Sequence, residues 1–171
     1  MTVRIQFDQN TRYAGFWRRV AASVIDTLLL LPLLAVIAYL LYGPAYFHWK
    51  LGEHGVFEVY GIGAVLIEQL LPVALTLFFW VRFLGTPGKL LLGCHIVHAQ
   101  TGAPLSIGRA VLRYLGYFVS IVPFMLGLLW IAWDKRKQGF HDKIANSVVV
   151  IYDESATMFE EIPAEFGKDI S

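Results

Sequence analysis

The sequence predicts an all-α membrane protein with two transmembrane helices, a third hydrophobic block and a small cytoplasmic β element. Three observations lead there. The 171 residues are 57% hydrophobic and 16% charged, whereas soluble domains run at about 45–50% apolar and about 25% charged. Residues 20–42 and 59–84 each supply the roughly 20 predominantly apolar residues that a helix needs to cross the hydrocarbon core. The densest basic clusters flank these runs in the way that cytoplasmic loops do.

Residues 1–12 form a polar, cytoplasmic lead-in. Tyr13, Phe16 and Trp17 then supply an interfacial aromatic belt beside Arg18 and Arg19. The apolar run that follows is about twice as long as a signal-peptide core, so it is expected to be an uncleaved first span. Its polar interruptions are Ser23, Asp26 and Thr27. An ionisable group in lipid costs roughly 2.5–3.5 kcal/mol on insertion scales, so Asp26 needs a partner or a purpose. Arg19 and Asp26 are seven residues apart, hence within about 20° of each other and roughly 10.5 Å apart along the axis. Side chains lean toward the helix N-terminus, which directs Arg19 to the headgroups and leaves Asp26 to find company on another helix. The stripe of Ser23, Asp26 and Thr27 should face the protein interior. It serves either as a polar contact between helices or as a cation or proton site. Pro32 is tolerable within the span because neighbours can satisfy the freed carbonyl.

The loop at residues 43–60 carries Lys50 as its fixed positive charge, as an external loop should. His48, Glu53, His54 and Glu58 lack a tight ligand spacing and are read as solvated; neither a metal nor a cofactor is expected. The second span, residues 59–84, holds Glu68, Pro72 and Thr76. Glu68 and Thr76 lie roughly 80° apart around the helix and can border one polar face. Antiparallel packing sets Glu68 about 22 Å from the inner boundary and Asp26 about 9 Å from it. They are therefore not a carboxylate dyad, and Thr76 is the nearest match to Asp26 in depth.

The next segment contains GTPGK, which fails as a phosphate loop: Phe83 stands where the pattern needs its first Gly, and Leu90 where it needs Ser or Thr. CHIVHAQTGAPLS reads as a strand and turn, in which His95 and His98 fall on opposite faces. Ser106 then caps a helix carrying Arg109 and Arg113 on one side. The third hydrophobic block, residues 114–133, raises a conflict. Three spans would end outside, yet Lys135, Arg136, Lys137 and Lys143 follow it at once. A re-entrant hairpin bent at about residues 122–123 resolves this; the alternative is a third span with an exported basic tail. The hairpin keeps each dense basic cluster cytoplasmic and lets the β-branched NSVVVIY pair with CHIVHA.

Residues 153–171 form an acidic tail, expected to be flexible, beyond a membrane domain at residues 1–152. Its six acids against Lys168 make it −5 and the remainder +6 within a net charge of +1. That basic excess suits membrane topology, not nucleic acid. A single Cys, Cys94, excludes an intramolecular disulfide.

FWRRVAASVID, with Arg19 and Asp26, and QGFHDKIANSVVV, with Asp142, together resemble the RDD family of small bacterial integral membrane proteins, named for those three residues. GTPGKLLLGCHIVHAQTGAPLSIGRAVLR is similar to the family's linker. The resemblance covers roughly residues 13–152; Arg18 is an alternative holder of the Arg role, and Asn146–Ser147 replaces an expected Gly-Thr. It implies a multi-pass protein of the inner membrane, with transport suggested and cation/proton antiport proposed for some members. Asp142 itself sits after a basic turn, where pairing with Arg19 or Arg113 would anchor the hairpin.

Two functions compete. In a small transporter, a monovalent cation or proton would exchange at Asp26, with Ser23 and Thr76 as oxygen ligands. Glu68 would be its outer station, and Arg19 and Asp142, with Arg113 nearby, an inner gate. Two spans and a hairpin do not enclose a pathway, so this requires a homo-oligomer or a partner subunit. The alternative is a non-transporting scaffold or accessory subunit. An enzyme is not expected, because no nucleophile–base pair, metal spacing or cofactor loop is present.

Overall fold

The computed structural model describes residues 11–44 and 62–152, together with Ile5, Phe7 and His48. Most of the expected outer loop and the acidic tail lie outside the described residues. Near the N-terminus a two-residue strand, β1 (Arg12–Tyr13), leads into α1 (Phe16–Tyr42). At 27 residues α1 is about 40 Å long, enough for a bilayer core of about 30 Å. It continues through Pro32, and of its residues only Arg19, Ala22 and Ala38 are buried.

The second hydrophobic run is helical in three pieces: α2 (Ile62–Val65), a π-helical turn (Leu66–Leu70) and α3 (Leu71–Phe83). The wide turn has a cause. Pro72 offers no N–H to the carbonyl of Glu68, and one extra residue per turn accommodates the lost bond. Leu84, in the left-handed region at φ 64°, ends the run. Then come α4 (Pro87–Leu91) and β2 (Cys94–His98).

The third block resolves into α5 (Ile107–Ile121), α6 (Leu126–Leu129) and a 3-10 turn (Trp130–Ala132). Ser106 occupies the N-cap position of α5, as expected, but makes no side-chain cap bond. The two arms are bent by 113°, at a turn where Phe124 and Met125 adopt positive φ. At 15 residues α5 is about 22 Å long, short of a full crossing. The chain then comes back toward its starting level. Arg136 Nη2 donates to Ala99 O at 2.5 Å and Arg19 Nη2 to Lys137 O at 2.7 Å, so residues 136–137 lie beside the starts of α1 and of the 99–106 segment.

After α7 (Phe140–Ile144), β3 (Ser147–Ile151) completes an antiparallel sheet of order β1-β3-β2. The pairing of NSVVVIY with CHIVHA is present, in the register His95↔Val150 and Val97↔Val148. β1 is an addition: residues at the edge of the polar lead-in form the outer strand, with Arg12 opposite Ile151. The dry core sits on both faces of this sheet, around Ile96, Val149 and Trp80 on one and Val97, Val148 and Val150 on the other.

Away from the sheet the polarity is inverted. Toward the protein α5 turns Ala110, Arg113, Gly116 and Ser120; outward it turns Ile107, Leu112, Leu115 and Phe118. Phe124, at the hairpin tip, is 92% exposed, and Leu28 and Leu40 on α1 are 68% and 75% exposed. A contiguous apolar surface of this kind is unfavourable in water and ordinary in hydrocarbon.

Candidate functional site

Two carboxylates organise the end of the molecule that carries the sheet. Asp142 is the third residue of α7, where an acidic side chain reaches back to the exposed N–H groups of the first turn. Its Oδ2 accepts from Gly139 N at 3.0 Å and from Arg19 Nη1 at 2.5 Å. Its Oδ1 is ion-paired with Arg113 Nη1, and Ser147 Oγ, 3.4 Å from the same oxygen, accepts from Arg113 Nη1 at 2.5 Å. Arg19 also donates through Nε to Ala14 O at 3.0 Å. One carboxylate thus ties together the start of α1, the middle of α5, the returning loop, α7 and β3.

The cluster is dry: Arg113 and Asp142 are fully buried and Arg19 nearly so. Trp80 lies against the Arg113 guanidinium, 5.2 Å from ring centroid to Cζ, and offsets part of the cost of its burial. Burial alone would raise the Asp142 carboxyl; the charges of Arg113 and then Arg19 outweigh it and hold the group below the usual carboxylate range. His141 stacks on Tyr117 at 4.0 Å between ring centroids, with Nδ1 3.2 Å from Ser120 Oγ. Burial pushes it down to about 3, Asp142 opposing and Arg113 and Arg19 assisting, so it is neutral at pH 7. Gly116 is required here, because a Cβ would lie 2.8 Å from His141 Cα.

The second carboxylate is Asp26, two turns further along α1. Its Oδ1 accepts from Gly88 N at 2.7 Å and its Oδ2 from Thr86 Oγ1 at 2.5 Å. Lys89 Nζ lies 3.8 Å from Oδ2 and donates to Thr86 Oγ1 at 3.3 Å. Asp26 therefore supplies, from another helix, the cap that α4 lacks. Gly88 permits the approach: a Cβ there would meet the carbonyl of Ala22 and stand 2.9 Å from Asp26 N.

The expected site residues are thus divided. Asp142 joins both Arg19 and Arg113, and Arg19 holds the Arg position while Arg18 is exposed. Arg19 is not directed to headgroups; the returning 137–142 segment covers it. Asp26 has its partner outside α1, but on α4 rather than the second span. Thr76 and Asp26 do line one cavity, of about 290 Å³, with Thr86 and Phe79. Ser23 does not share it: both Ser23 and Thr27 are exposed, Thr27 Oγ1 donating to Ser23 O, and they face a second cavity of about 430 Å³. Glu68 lies in the π-helical turn, about two turns from Thr76. Among the described residues, no group of three or more His, Cys, Asp or Glu is placed to hold a metal ion. Sequence reasoning missed Thr86, Gly88, Lys89, His141 and Ser147. The signal for the first three was Thr-Pro, an N-cap followed by Pro at the first helical position.

A helical fold that turns apolar side chains outward and closes over a dry Arg–Asp–Arg cluster defines a class: small proteins with a membrane-compatible surface. The chain belongs to the RDD family, whose model matches residues 13–146. It is 28% identical over 147 residues to the "Uncharacterized protein YxaI" of Bacillus subtilis (strain 168), covering 80% of this chain and 96% of that one. It is also similar to the "Proline-rich antigen homolog" of Mycobacterium tuberculosis, 35% identical over 63 residues, which is 37% of this chain and 26% of that protein. A third relative, "Uncharacterized protein RP437" of Rickettsia prowazekii, is 28% identical over 105 residues, covering 61% of this chain and 58% of the relative. No solved structure matches.

Proposed function

We propose that this is a multi-pass protein of the cytoplasmic (inner) membrane, with its N-terminus inside, that exchanges a monovalent cation or proton at Asp26 as a homo-oligomer or with a partner subunit. Support for the location comes from the outward apolar surface and from the basic residues gathered at the sheet end. Support for exchange comes from one geometry: a carboxylate on the apolar α1 shares a cavity with the hydroxyls of Thr76 and Thr86, while its cationic neighbour Lys89 stands 3.8 Å away. A bare cation or a proton arriving at Asp26 would replace Lys89 as counter-charge, and its loss would restore the pair. Arg19, Asp142 and Arg113 then act as a fixed clamp and not as a moving gate, since the cluster is buried and each carboxylate oxygen of Asp142 holds its own guanidinium. Glu68 remains the candidate outer station. Two spans and a hairpin do not enclose a path by themselves, which is why a second chain is needed to close one.

A second reading is a non-transporting scaffold, favoured by the fact that Gly88 N–H and Thr86 Oγ1 already satisfy Asp26. Reconstituted vesicles separate the two. Exchange predicts that adding Na⁺ or Li⁺ collapses an imposed pH gradient and that Asp26→Asn abolishes the collapse. Equal collapse with both proteins overturns exchange at Asp26; none with either leaves the scaffold reading, in which Asp26→Asn instead disrupts a co-purifying complex.

A further inference from the structure

The larger cavity, about 430 Å³, is a groove between α1 and the hairpin, separate from the Asp26–Thr76 cavity. Its volume is in the range of ligand sites, roughly 300–1,000 Å³. Its lining is mixed: Arg19, Ser23, Lys89 and His141 stand among Val24, Leu28, Leu128 and Ile131. From Phe16 to Leu28 it runs along about 18 Å of α1.

The cations of the lining belong to a network with an excess of positive charge. Counting the groups behind the wall, three cations, Arg19, Lys89 and Arg113, stand against two carboxylates, Asp26 and Asp142. Arg19 and Lys89 are 7% and 6% exposed, so water compensates little of this. Each terminal nitrogen of Arg19 carries a second N–H beyond those bonded to Asp142 and Lys137. His141 Nε2, on the same wall, is buried without a hydrogen-bond partner.

We propose that this groove binds an amphiphile with an anionic head on an acyl chain, the head between Arg19 and Lys89 and the chain along Val24 and Leu28. The excess charge selects an anion, and the apolar side chains of the lining select a hydrocarbon tail over a free ion. This rests on the membrane reading above but not on ion exchange.

Two sources supply such a molecule, an anionic phospholipid or a free fatty acid. The test uses the full chain purified in a mild detergent, with binding followed by native mass spectrometry and by thermal stability. The ligands are dioleoyl phosphatidylglycerol, oleate, dioleoyl phosphatidylcholine and inorganic phosphate. Preference of about tenfold (1.4 kcal/mol) or more for phosphatidylglycerol or oleate over phosphatidylcholine is expected, and whichever wins names the source. Thr27→Trp fills the groove without touching the ion pairs and should weaken that binding about tenfold; Leu40→Trp, elsewhere on α1, should not. Lys89→Gln should erase the preference between charged and neutral heads. Equal binding of both phospholipids, protection by inorganic phosphate alone, or undiminished binding to Thr27→Trp would overturn the proposal. Failure of the membrane reading shows separately, as release of the chain from membranes by alkaline carbonate.

Discussion

Asp142→Asn removes the carboxylate held between two buried guanidinium groups while changing its shape hardly at all. The asparagine carbonyl can keep one contact, but its amide N–H₂ must face either Arg19 or Arg113, and the cluster is left with two unopposed positive charges. With Asp142 fully buried and Arg19 close to it, screening is weak; breaking one buried pair costs about 3–5 kcal/mol. The two pairs share an atom set and are not additive, so this range holds for the site as a whole. A chain of this size loses about 2–4 °C in Tm per kcal/mol, which gives a drop of about 6–20 °C. Differential scanning fluorimetry of the detergent-purified protein reads this directly. Asp26→Asn is the internal comparison: it keeps an acceptor for Gly88 N–H and a group able to donate to Thr86, so it should cost only about 1–2 kcal/mol. If Asp142→Asn melts no lower than Asp26→Asn, the clamp does not hold the fold as argued.

Acid should destabilise the protein in a defined window. His141 protonates near 6.5 when unfolded and only at about 3 when buried, so the unfolded chain binds more protons between those values. Stability is therefore complete above about pH 6.5 and falls by up to about 1.4 kcal/mol for each pH unit below it; Asp142, also depressed, adds to the loss at still lower pH. Tm measured from pH 8 to 4 should show this slope, and His141→Gln should flatten it. Gly88→Ala should lower Tm through about 1–3 kcal/mol of overpacking against backbone on α1, whereas Gly108→Ala, with nothing within 4 Å of its Cβ, should be neutral or stabilising; the same melting assay distinguishes them. Arg18→Gln should leave Tm unchanged and Arg19→Gln should lower it to the level of Asp142→Asn.

Long-period features were legible in the sequence and short ones were not. α1, the bend at Pro123 and the β2–β3 pairing each rest on a run of hydrophobicity, a Pro or a β-branched stretch that survives without tertiary context. Arg19 illustrates the opposite. Its side chain does lean toward the helix N-terminus, far enough to bond Ala14 O, but the segment that buries it arrives from 118 residues later. Asp26 was rightly denied a partner on its own helix, yet α4 is five residues long and shows no apolar periodicity to announce an N-terminus. β1 spans two residues and is defined by its neighbour β3 alone. Ser23 and Thr27 read as one stripe with Asp26, but they lie about 60° and 100° around α1 from it, on the same side, which turns them to the other cavity.

The account turns on the hairpin: the chain after residue 133 returns to the side where α1 begins. Single cysteines decide this, introduced as Arg18→Cys and Lys135→Cys in a Cys94→Ala background, with Lys50→Cys as the outer control, and probed with a membrane-impermeant maleimide. Arg18 and Lys135 are both exposed, so their accessibility reports sidedness and not burial. The account predicts that Lys50→Cys labels in intact cells and that Arg18→Cys and Lys135→Cys label only after the membrane is opened. Labelling of Lys135→Cys in intact cells, with Arg18→Cys still protected, would mean a third crossing and would contradict it.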